Sequence, residues 1–246
     1  MSYIGTIKIG KMYLGATEIA KAYLGNDLVF QNGGGGGGLP TGLQALTYFD
    51  TDGSNYILTP IQYASGHSFK ITEDVQFLGN TTGKGTGWNA GGALVVSASG
   101  GNRYYGDGAA ALSPNIKTSN RVTATVEIVT GGDTTVSAVY NGNTSSHTRS
   151  NSSLATYAGT TGYPIGTMTS SGGGVPSDGI SLRFYSISIE KDDVVVFNGV
   201  PVITTASYEN AQGVTVPSGT VGIYDSISGE LYTKSGGSND FTPSGE

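Results

Sequence analysis

Apolar and polar residues alternate along much of this chain, the pattern of β-strands that bury one face. Residues 121–129 show it best, since every second residue is apolar: Val122, Ala124, Val126 and Ile128. The same reading predicts about ten strands and no amphipathic helix. The predicted strands are 56–63, 68–78, 92–97, 121–129, 134–140, 180–190, 194–196, 200–204, 219–224 and 230–233. We therefore expect an all-β, two-sheet antiparallel sandwich.

In segment 180–190 the alternation changes phase. Ile180, Leu182 and Phe184 would share one face of a strand. The next apolar residues, Tyr185, Ile187 and Ile189, would fall on the other face. The shift predicts either a β-bulge or a strand covered on both faces. Dipeptides typical of turns separate the strands: Asp52-Gly53, Gly131-Gly132, Asn141-Gly142 and Asn198-Gly199.

The first 31 residues repeat with a period of ten. Residues 9–15 (IGKMYLG) are echoed by residues 19–25 (IAKAYLG). Ten residues suit a strand of about eight residues and a two-residue hairpin turn. The expected turns are Gly15-Ala16 and Gly25-Asn26, so we predict a three-stranded meander from about residue 8 to residue 31.

A meander of this size is too small to bury a core alone. It packs either on the main domain or on another chain. The six consecutive glycines at 33–38 are typical of a flexible tether and favour the second option. We therefore predict an attachment segment at 1–32, a linker at 33–40 and a sandwich domain at 41–246. The residues predicted to make the attachment are Ile9, Met12, Tyr13, Leu14, Ile19, Tyr23, Leu24, Val29 and Phe30.

Composition narrows the classes of function. Charged residues make up only 12% of the chain and the net charge is −6, which disfavours nucleic-acid binding. The absence of cysteine excludes disulfides and thiol catalysis. No apolar run approaches the ~20 residues that span a bilayer, so membrane insertion is not expected. Residues 1–5 lack the features of a signal peptide, and we expect synthesis in the cytoplasm.

The sequence contains few residue patterns that are typical of catalytic sites. His67 and His147 are the only histidines and lack the spacing of a zinc site, so we expect no metal and no cofactor. The dense acidic clusters are at 50–52, 73–74 and 190–193, and the last of them is better explained as a solvated turn than as the paired carboxyl groups of a glycosidase. Residues 50–55 also resemble a calcium loop, but Ile61 stands where such a loop has a glutamate. We do not expect an enzyme.

Carbohydrate binding is the small-ligand activity that the sequence favours, because sugars stack on aromatic rings and bond to polar side chains. The candidate residues are Trp88, Arg103, Tyr104, Tyr105 and Asp107. The alternative for Trp88 is a place in the core. The alternative for the two tyrosines is a strand in which they face opposite ways.

Several segments resemble a known family. Residues 52–59 (DGSNYILT) resemble the opening strand of the laminin-G-like, concanavalin-like jelly rolls common in gut bacteriophage proteins. Residues 182–189 (LRFYSISI) are similar to the penultimate core strand of those domains, and 221–225 (VGIYD) with 229–233 (GELYT) are similar to their C-terminal pattern. Residues 206–218 are an insertion relative to that pattern. The N-terminal repeats resemble segments that open structural proteins of phages infecting Bacteroidales.

The resemblance implies a non-enzymatic virion structural protein: a head fibre, a capsid decoration or a tail adhesin. It implies attachment to other virion proteins through residues 1–32 in a homo-oligomer, with a trimer favoured, and a lectin-like domain for host-surface glycans or virion proteins. Two alternatives remain. One is a capsule-degrading glycoside hydrolase or lyase of the concanavalin-like fold. The other is a bacterial surface adhesin, which the missing signal peptide disfavours.

Overall fold

The computed structural model describes strands and turns and, within the described residues, no helix, which confirms the all-β prediction for them. Consequently no described helix could cross a membrane. The chain divides into two compact units, Met1–Thr41 and Gly42–Glu246. The described residues are six short strands before residue 32 and residues 39–78, 84–88, 93–99, 102–105, 120–129, 134–140, 143–149, 158–169, 179–210, 213–237 and 239–244.

The first unit contains three antiparallel strand pairs, β1 with β2, β3 with β4, and β5 with β6. Their bounds are β1 (Tyr3–Ile4), β2 (Ile7–Lys8), β3 (Met12–Leu14), β4 (Thr17–Ile19), β5 (Lys21–Leu24) and β6 (Asp27–Gln31). Leu14 pairs with Thr17, and Leu24 pairs with Asp27, so the two dipeptides predicted as turns each separate paired strands.

In segment 17–24, β4 pairs back with β3 and β5 pairs forward with β6. Both pairings agree with the predicted meander, but Ala20 lies outside the described residues, so one continuous middle strand stays a prediction. Ile9 lies outside the described residues. The other predicted attachment residues lie in β3 to β6, and their side chains are outside the described part.

The second unit is built on an eleven-stranded sheet with the order β16-β15-β14-β10-β18-β19-β22-β23, in which β7 also pairs with β19 and β8 pairs with both β18 and β24. Every strand pair in this sheet is antiparallel. We call it the main sheet. The strands of the unit are β7 (Leu43–Ala45), β8 (Phe49–Asp50), β9 (Ile57–Ala64), β10 (Phe69–Phe77), β11 (Lys84–Trp88), β12 (Ala93–Ser99), β13 (Asn102–Tyr105), β14 (Arg121–Ile128), β15 (Thr134–Tyr140), β16 (Asn143–Arg149), β17 (Ala158–Ile165), β18 (Leu182–Lys191), β19 (Val194–Thr204), β20 (Tyr208–Glu209), β21 (Thr215–Val216), β22 (Val221–Asp225), β23 (Glu230–Thr233) and β24 (Thr242–Pro243).

Two smaller sheets pack against one face of the main sheet: β11, β12 and β13 form one, and β17 and β9 form the other. Strand β20 pairs with β21 in a separate hairpin. The Gly87 amide of β11 donates to the Thr167 carbonyl at 3.1 Å, which links β11 to the chain just after β17. The core lies between these strands and the main sheet, as in a β-sandwich, and joins Trp88 of β11 and Tyr63 of β9 to Phe69 of β10.

Two predicted details of the main sheet are confirmed. In β14 the four apolar residues predicted to face inward are buried. In β18 the phase change is a β-bulge: Asp74 pairs with Ser186 and Val75 pairs with Phe184, which leaves Tyr185 as the extra residue. The extra residue shifts the alternation of side chains by one position. The buried residues before and after the bulge therefore all point to the core: Leu182, Phe184, Ile187 and Ile189.

The prediction of a turn at Asn198-Gly199 is wrong, since β19 runs unbroken through both residues. A Cβ atom at Gly199 would lie 2.5 Å from Cγ2 of Ile223 and 2.7 Å from Cε1 of Phe197. The glycine therefore serves close packing between strands and not a change of direction. Strands β11, β16 and β17 were not predicted, whereas β13 matches the alternative interpretation of Tyr104 and Tyr105 as strand residues.

Candidate functional site

Strand β10 carries adjacent carboxyl groups on opposite faces of the main sheet. Glu73 points into the core and Asp74 points outward. Each belongs to a group of polar and aromatic side chains. We call the first group the inner cluster: Glu73, Thr86, Trp88 and Tyr163. We call the second the outer ladder: Tyr48, Asp50, Asp74, Gln76, Arg121, Arg183 and Tyr185.

Glu73 occupies a core position in the middle of β10, between Ile71 and Val75, and is 0% exposed. Its Oε1 accepts a hydrogen bond from the Tyr163 hydroxyl at 2.9 Å. The Thr86 hydroxyl lies 3.4 Å from the same oxygen. The other carboxyl oxygen, Oε2, has no partner among the described residues, and neither has Nε1 of Trp88. Two buried polar atoms of the inner cluster are thus unsatisfied by described groups.

Burial decides the charge state of this cluster. Removal from water raises the pKa of Glu73 to about 8, and the hydrogen bonds from Tyr163 and Thr86 only partly oppose the shift. Burial, followed by the nearby Glu73 carboxyl, raises the pKa of Tyr163 well above its usual value. At neutral pH the cluster is therefore an uncharged, hydrogen-bonded group inside the core.

The inner cluster does not supply the geometry of a glycosidase. Hydrolysis of a glycosidic bond needs two carboxyl groups that flank the substrate. Glu73 is fully buried, and its described hydrogen-bond partners are a tyrosine and a threonine, with no second carboxyl group among them. The position of Glu73 in the core is compatible with a structural role.

Trp88 is enclosed by three aromatic rings. The centroid of its ring lies 5.6 Å from Tyr63, 5.4 Å from Phe69 and 5.1 Å from Tyr163, always edge to face. It is 0% exposed. Trp88 therefore cannot offer a ring face to a sugar in this structure, and the alternative interpretation as a core residue is the one observed.

The other residues predicted to bind a glycan lie at the limit of the described part. Arg103, Tyr104 and Tyr105 belong to β13, which pairs with β12. Their side chains are outside the described part, and Asp107 is outside it altogether. A glycan site at these residues stays a prediction.

The outer ladder begins at the edge of β14. The guanidinium of Arg121 donates to both carboxylate oxygens of Asp74, from Nε at 2.8 Å and from Nη2 at 2.7 Å. The same guanidinium lies 3.9 Å above the centroid of the Tyr185 ring. The Tyr185 hydroxyl donates to Oε1 of Gln76 at 3.0 Å. Residues of three neighbouring strands thus fix the positions of the Arg121 guanidinium, the Asp74 carboxylate and the Tyr185 ring.

The ladder continues to β8 with the same motif. Arg183 donates to both oxygens of Asp50, at 2.8 Å and 3.0 Å, and its guanidinium lies 3.8 Å above the Tyr48 ring. The rings of Tyr48 and Tyr185 meet edge to face at 5.6 Å. Two Arg–Asp pairs, each stacked on a tyrosine, are therefore joined through the tyrosines.

Sequence reasoning named Trp88 and the acidic clusters at 50–52 and 73–74 but not the two groups that they join, although each group left a signal. Glu73 breaks a run in which Phe69, Ile71, Val75 and Phe77 occupy the other core positions of one strand. The signal for the outer ladder was the phase change in β18, because the bulged residue is Tyr185 itself. Residues at bulges are often aimed at functional surfaces.

The resemblance of residues 50–55 to a calcium loop is explained by a turn. Oδ1 of Asp52 accepts hydrogen bonds from the amides of Ser54 and Asn55 at 2.7 Å and 3.2 Å, and Oδ2 accepts one from the Asn239 side chain. Partial burial works to raise the pKa of Asp52, but these bonds outweigh it and lower the pKa to about 2. Gly53 has φ +84°, as tight turns require. Among the residues that the structure describes, no cluster of three or more acidic or histidine side chains could hold a metal.

Comparison with known proteins gives no relative for this chain. No family model matches the sequence, and neither a curated protein nor a solved structure gives a significant match. The resemblance to phage jelly rolls consequently depends on the quoted segments alone.

Proposed function

We propose that this protein is a non-enzymatic structural protein of a bacteriophage virion. Residues 1–32 attach it to the particle, and residues 41–246 form a laminin-G-like jelly roll that binds host glycans. The observation that carries the proposal is the division of the chain into two units, with the boundary between Thr41 and Gly42, just after the glycine run. The antiparallel strands and the core between layers support the jelly-roll assignment.

The hairpins of the first unit suit attachment to a partner. Isolated two-stranded hairpins are marginally stable in water, and their unpaired edges can accept strands from another chain. Other virion proteins and further copies of this chain, with a trimer favoured, are the proposed partners. A flexible chain of eight residues, the length of the proposed linker, spans roughly 15 Å on average and at most roughly 27 Å.

The chemistry of the second unit favours binding over catalysis. The carboxyl group of Glu73 is closed off from solvent, whereas the polar groups of the outer ladder reach the surface. Asp50 and Asp74 of the ladder are each held by two hydrogen bonds from an arginine. The oxygens of both carboxylates are therefore engaged by arginine donors and are not arranged as a pair that flanks a substrate.

Deletion of residues 1–32 tests the attachment role. The deleted protein should keep the β-rich circular dichroism spectrum, elute as a monomer and fail to incorporate into particles. A full-length variant in which the glycines at 33–38 are replaced by six serines keeps the flexible linker and should incorporate normally. Incorporation of the deleted protein at the level of the full chain would refute the attachment role.

The competing hydrolase or lyase function has its own test. Purified capsular polysaccharide should keep its size distribution on gel filtration after prolonged incubation with the protein. Depolymerisation that disappears on substitution of one carboxyl residue would replace our proposal with the enzymatic alternative.

A further inference from the structure

We propose that the outer ladder is the binding site for a short stretch of a neutral polysaccharide, which lies across β14, β10, β18 and β8. The inference deepens the glycan-binding role proposed above and depends on it. It assigns that role to residues that are different from those expected from the sequence. Four observations support it: the chemistry of the surface, its charge balance, its rigidity and its length.

The surface around the ladder has the chemistry of a sugar-binding face. The side chains that β10, β14 and β18 direct outward beyond the ladder include hydroxyl residues such as Thr72, Thr125 and Ser188, and the Thr72 and Thr125 hydroxyls lie 3.0 Å apart. Of the exposed aliphatic residues, Val129 and Val194 lie at or beyond the ends of other strand segments, whereas Leu78 directly follows β10, two residues after Gln76, and adds one apolar side chain at that end of the patch. Protein partners need apolar anchors, whereas sugars offer hydroxyl groups and C–H faces that suit hydroxyls and aromatic planes.

The charge balance selects a neutral ligand. The ladder contains two arginines and two aspartates, and each guanidinium lies within 3.0 Å of its own carboxylate. The ladder therefore has no net charge to attract an anion. The whole chain, with a net charge of −6, would repel an acidic polysaccharide.

The ladder is already ordered before a ligand arrives. Each guanidinium is fixed by two hydrogen bonds and by a tyrosine ring beneath it. Binding to such a surface avoids the entropy cost of ordering long side chains. The Arg121 side chain is nevertheless 55% exposed, so one planar group remains open to a ligand.

The length of the ladder fits an oligosaccharide. Strands β14, β10, β18 and β8 are successive neighbours in the main sheet. Three interstrand spacings of about 4.8 Å give a surface about 14 Å long. A few sugar units in an extended chain would cover it and contact both tyrosine–arginine stacks.

Calorimetric titration of the full-length protein tests the inference. The probes are neutral oligosaccharides of glucose, mannose, galactose and xylose, with oligogalacturonate as the acidic comparison. At least one neutral probe should bind more tightly than oligogalacturonate. Tyr185→Ala should weaken that binding at least tenfold. Arg121→Gln, which keeps a planar polar group but breaks the stack and the ion pair, gives a second variant if Tyr185→Ala does not fold.

Lys70→Ala is the matched control. Lys70 pairs with Glu127 at 3.7 Å on the outer face of β10 and β14 and contacts no ladder tyrosine in the described structure, so its loss should leave the affinity unchanged. Preference for oligogalacturonate, or no binding to any neutral probe, would overturn the inference. Binding that the ladder variants leave intact would overturn the ladder but not the glycan-binding role. The attachment role is tested separately by particle incorporation.

Discussion

Each face of the main sheet carries one carboxyl group of β10, and the two groups have opposite environments. Glu73 and Asp74 are neighbours in sequence, yet one is sealed in the core and the other is held on the surface by Arg121. The inner carboxyl has no cation among its described partners and remains protonated at neutral pH. The outer carboxylate is matched by a guanidinium. The face of the strand thus decides which partners a carboxyl group of β10 finds.

We expect the inner face to affect the stability of the fold and the outer face to affect ligand binding. A buried charge without a partner costs several kcal/mol, whereas an exposed ion pair contributes ~0–1 kcal/mol. Substitutions in the inner cluster should therefore change the free energy of unfolding. Substitutions in the outer ladder should change binding and leave the fold nearly as stable.

The largest effect is expected from pH, through Glu73. Its folded-state pKa is raised from 4.5 to about 8, so its contribution to stability is fully present below pH 4.5 and is lost as pH rises through 8. The loss is on the order of 5 kcal/mol. Glu73→Gln keeps an acceptor for Tyr163 and does not titrate. Its free energy of unfolding should therefore change with pH by that much less than the free energy of unfolding of the unmodified protein. Urea unfolding at pH 5, 7 and 9 measures it.

Glu127→Gln is the control for that experiment, because Glu127 is an exposed carboxylate on the outer face of β14. Its unfolding free energy should follow the pH dependence of the unmodified protein. Equal pH dependence of the unmodified protein and Glu73→Gln would show that Glu73 is not buried and neutral.

The second-largest effect is expected from the removal of one aromatic ring on each face. Trp88→Ala should lower the free energy of unfolding by about 3–5 kcal/mol, because it leaves a cavity among Tyr63, Phe69 and Tyr163. Tyr185→Ala on the outer face should cost clearly less. Thermal unfolding of both variants provides the comparison, and a larger loss for Tyr185→Ala would reverse our assignment of the two faces.

The smallest effect concerns the ion pairs of the outer face. Arg183→Ala should cost about 1 kcal/mol, since its two hydrogen bonds to Asp50 and its stack on Tyr48 are only partly exposed. Lys70→Ala, with a single long contact in solvent, should stay within about 0.5 kcal/mol of the unmodified protein. A double-mutant cycle of Arg183→Ala with Asp50→Ala isolates the pair, and a coupling energy of zero would exclude cooperation within the ladder.

The sequence predicted the features that depend on local periodicity. The alternation in β14 identified its buried face, and the phase change identified the bulge at Tyr185. Prediction from the sequence failed where packing between residues far apart in the chain determines the structure. The Asn198-Gly199 pair has the composition of a turn, but Gly199 stands where Ile223 and Phe197 leave no room for a side chain.

Strands β11 and β16 were missed because glycine, serine and threonine give them little alternation. The outer ladder could not be predicted in full, since it joins residues more than one hundred positions apart in sequence, such as Asp50 and Arg183. The core place of Glu73 was visible in the pattern of β10. Its environment was not, because Thr86 and Tyr163 come from other sheets.

The central claim is that the outer face recognises a ligand while the inner face only holds the fold. Nuclear magnetic resonance of the full-length protein, titrated with the neutral oligosaccharide that binds best, tests it most directly. We predict shifts in the Nε–H signals of Arg121 and Arg183 and no shift in the indole N–H of Trp88. A shift of the Trp88 indole with both arginine signals unmoved would contradict the account.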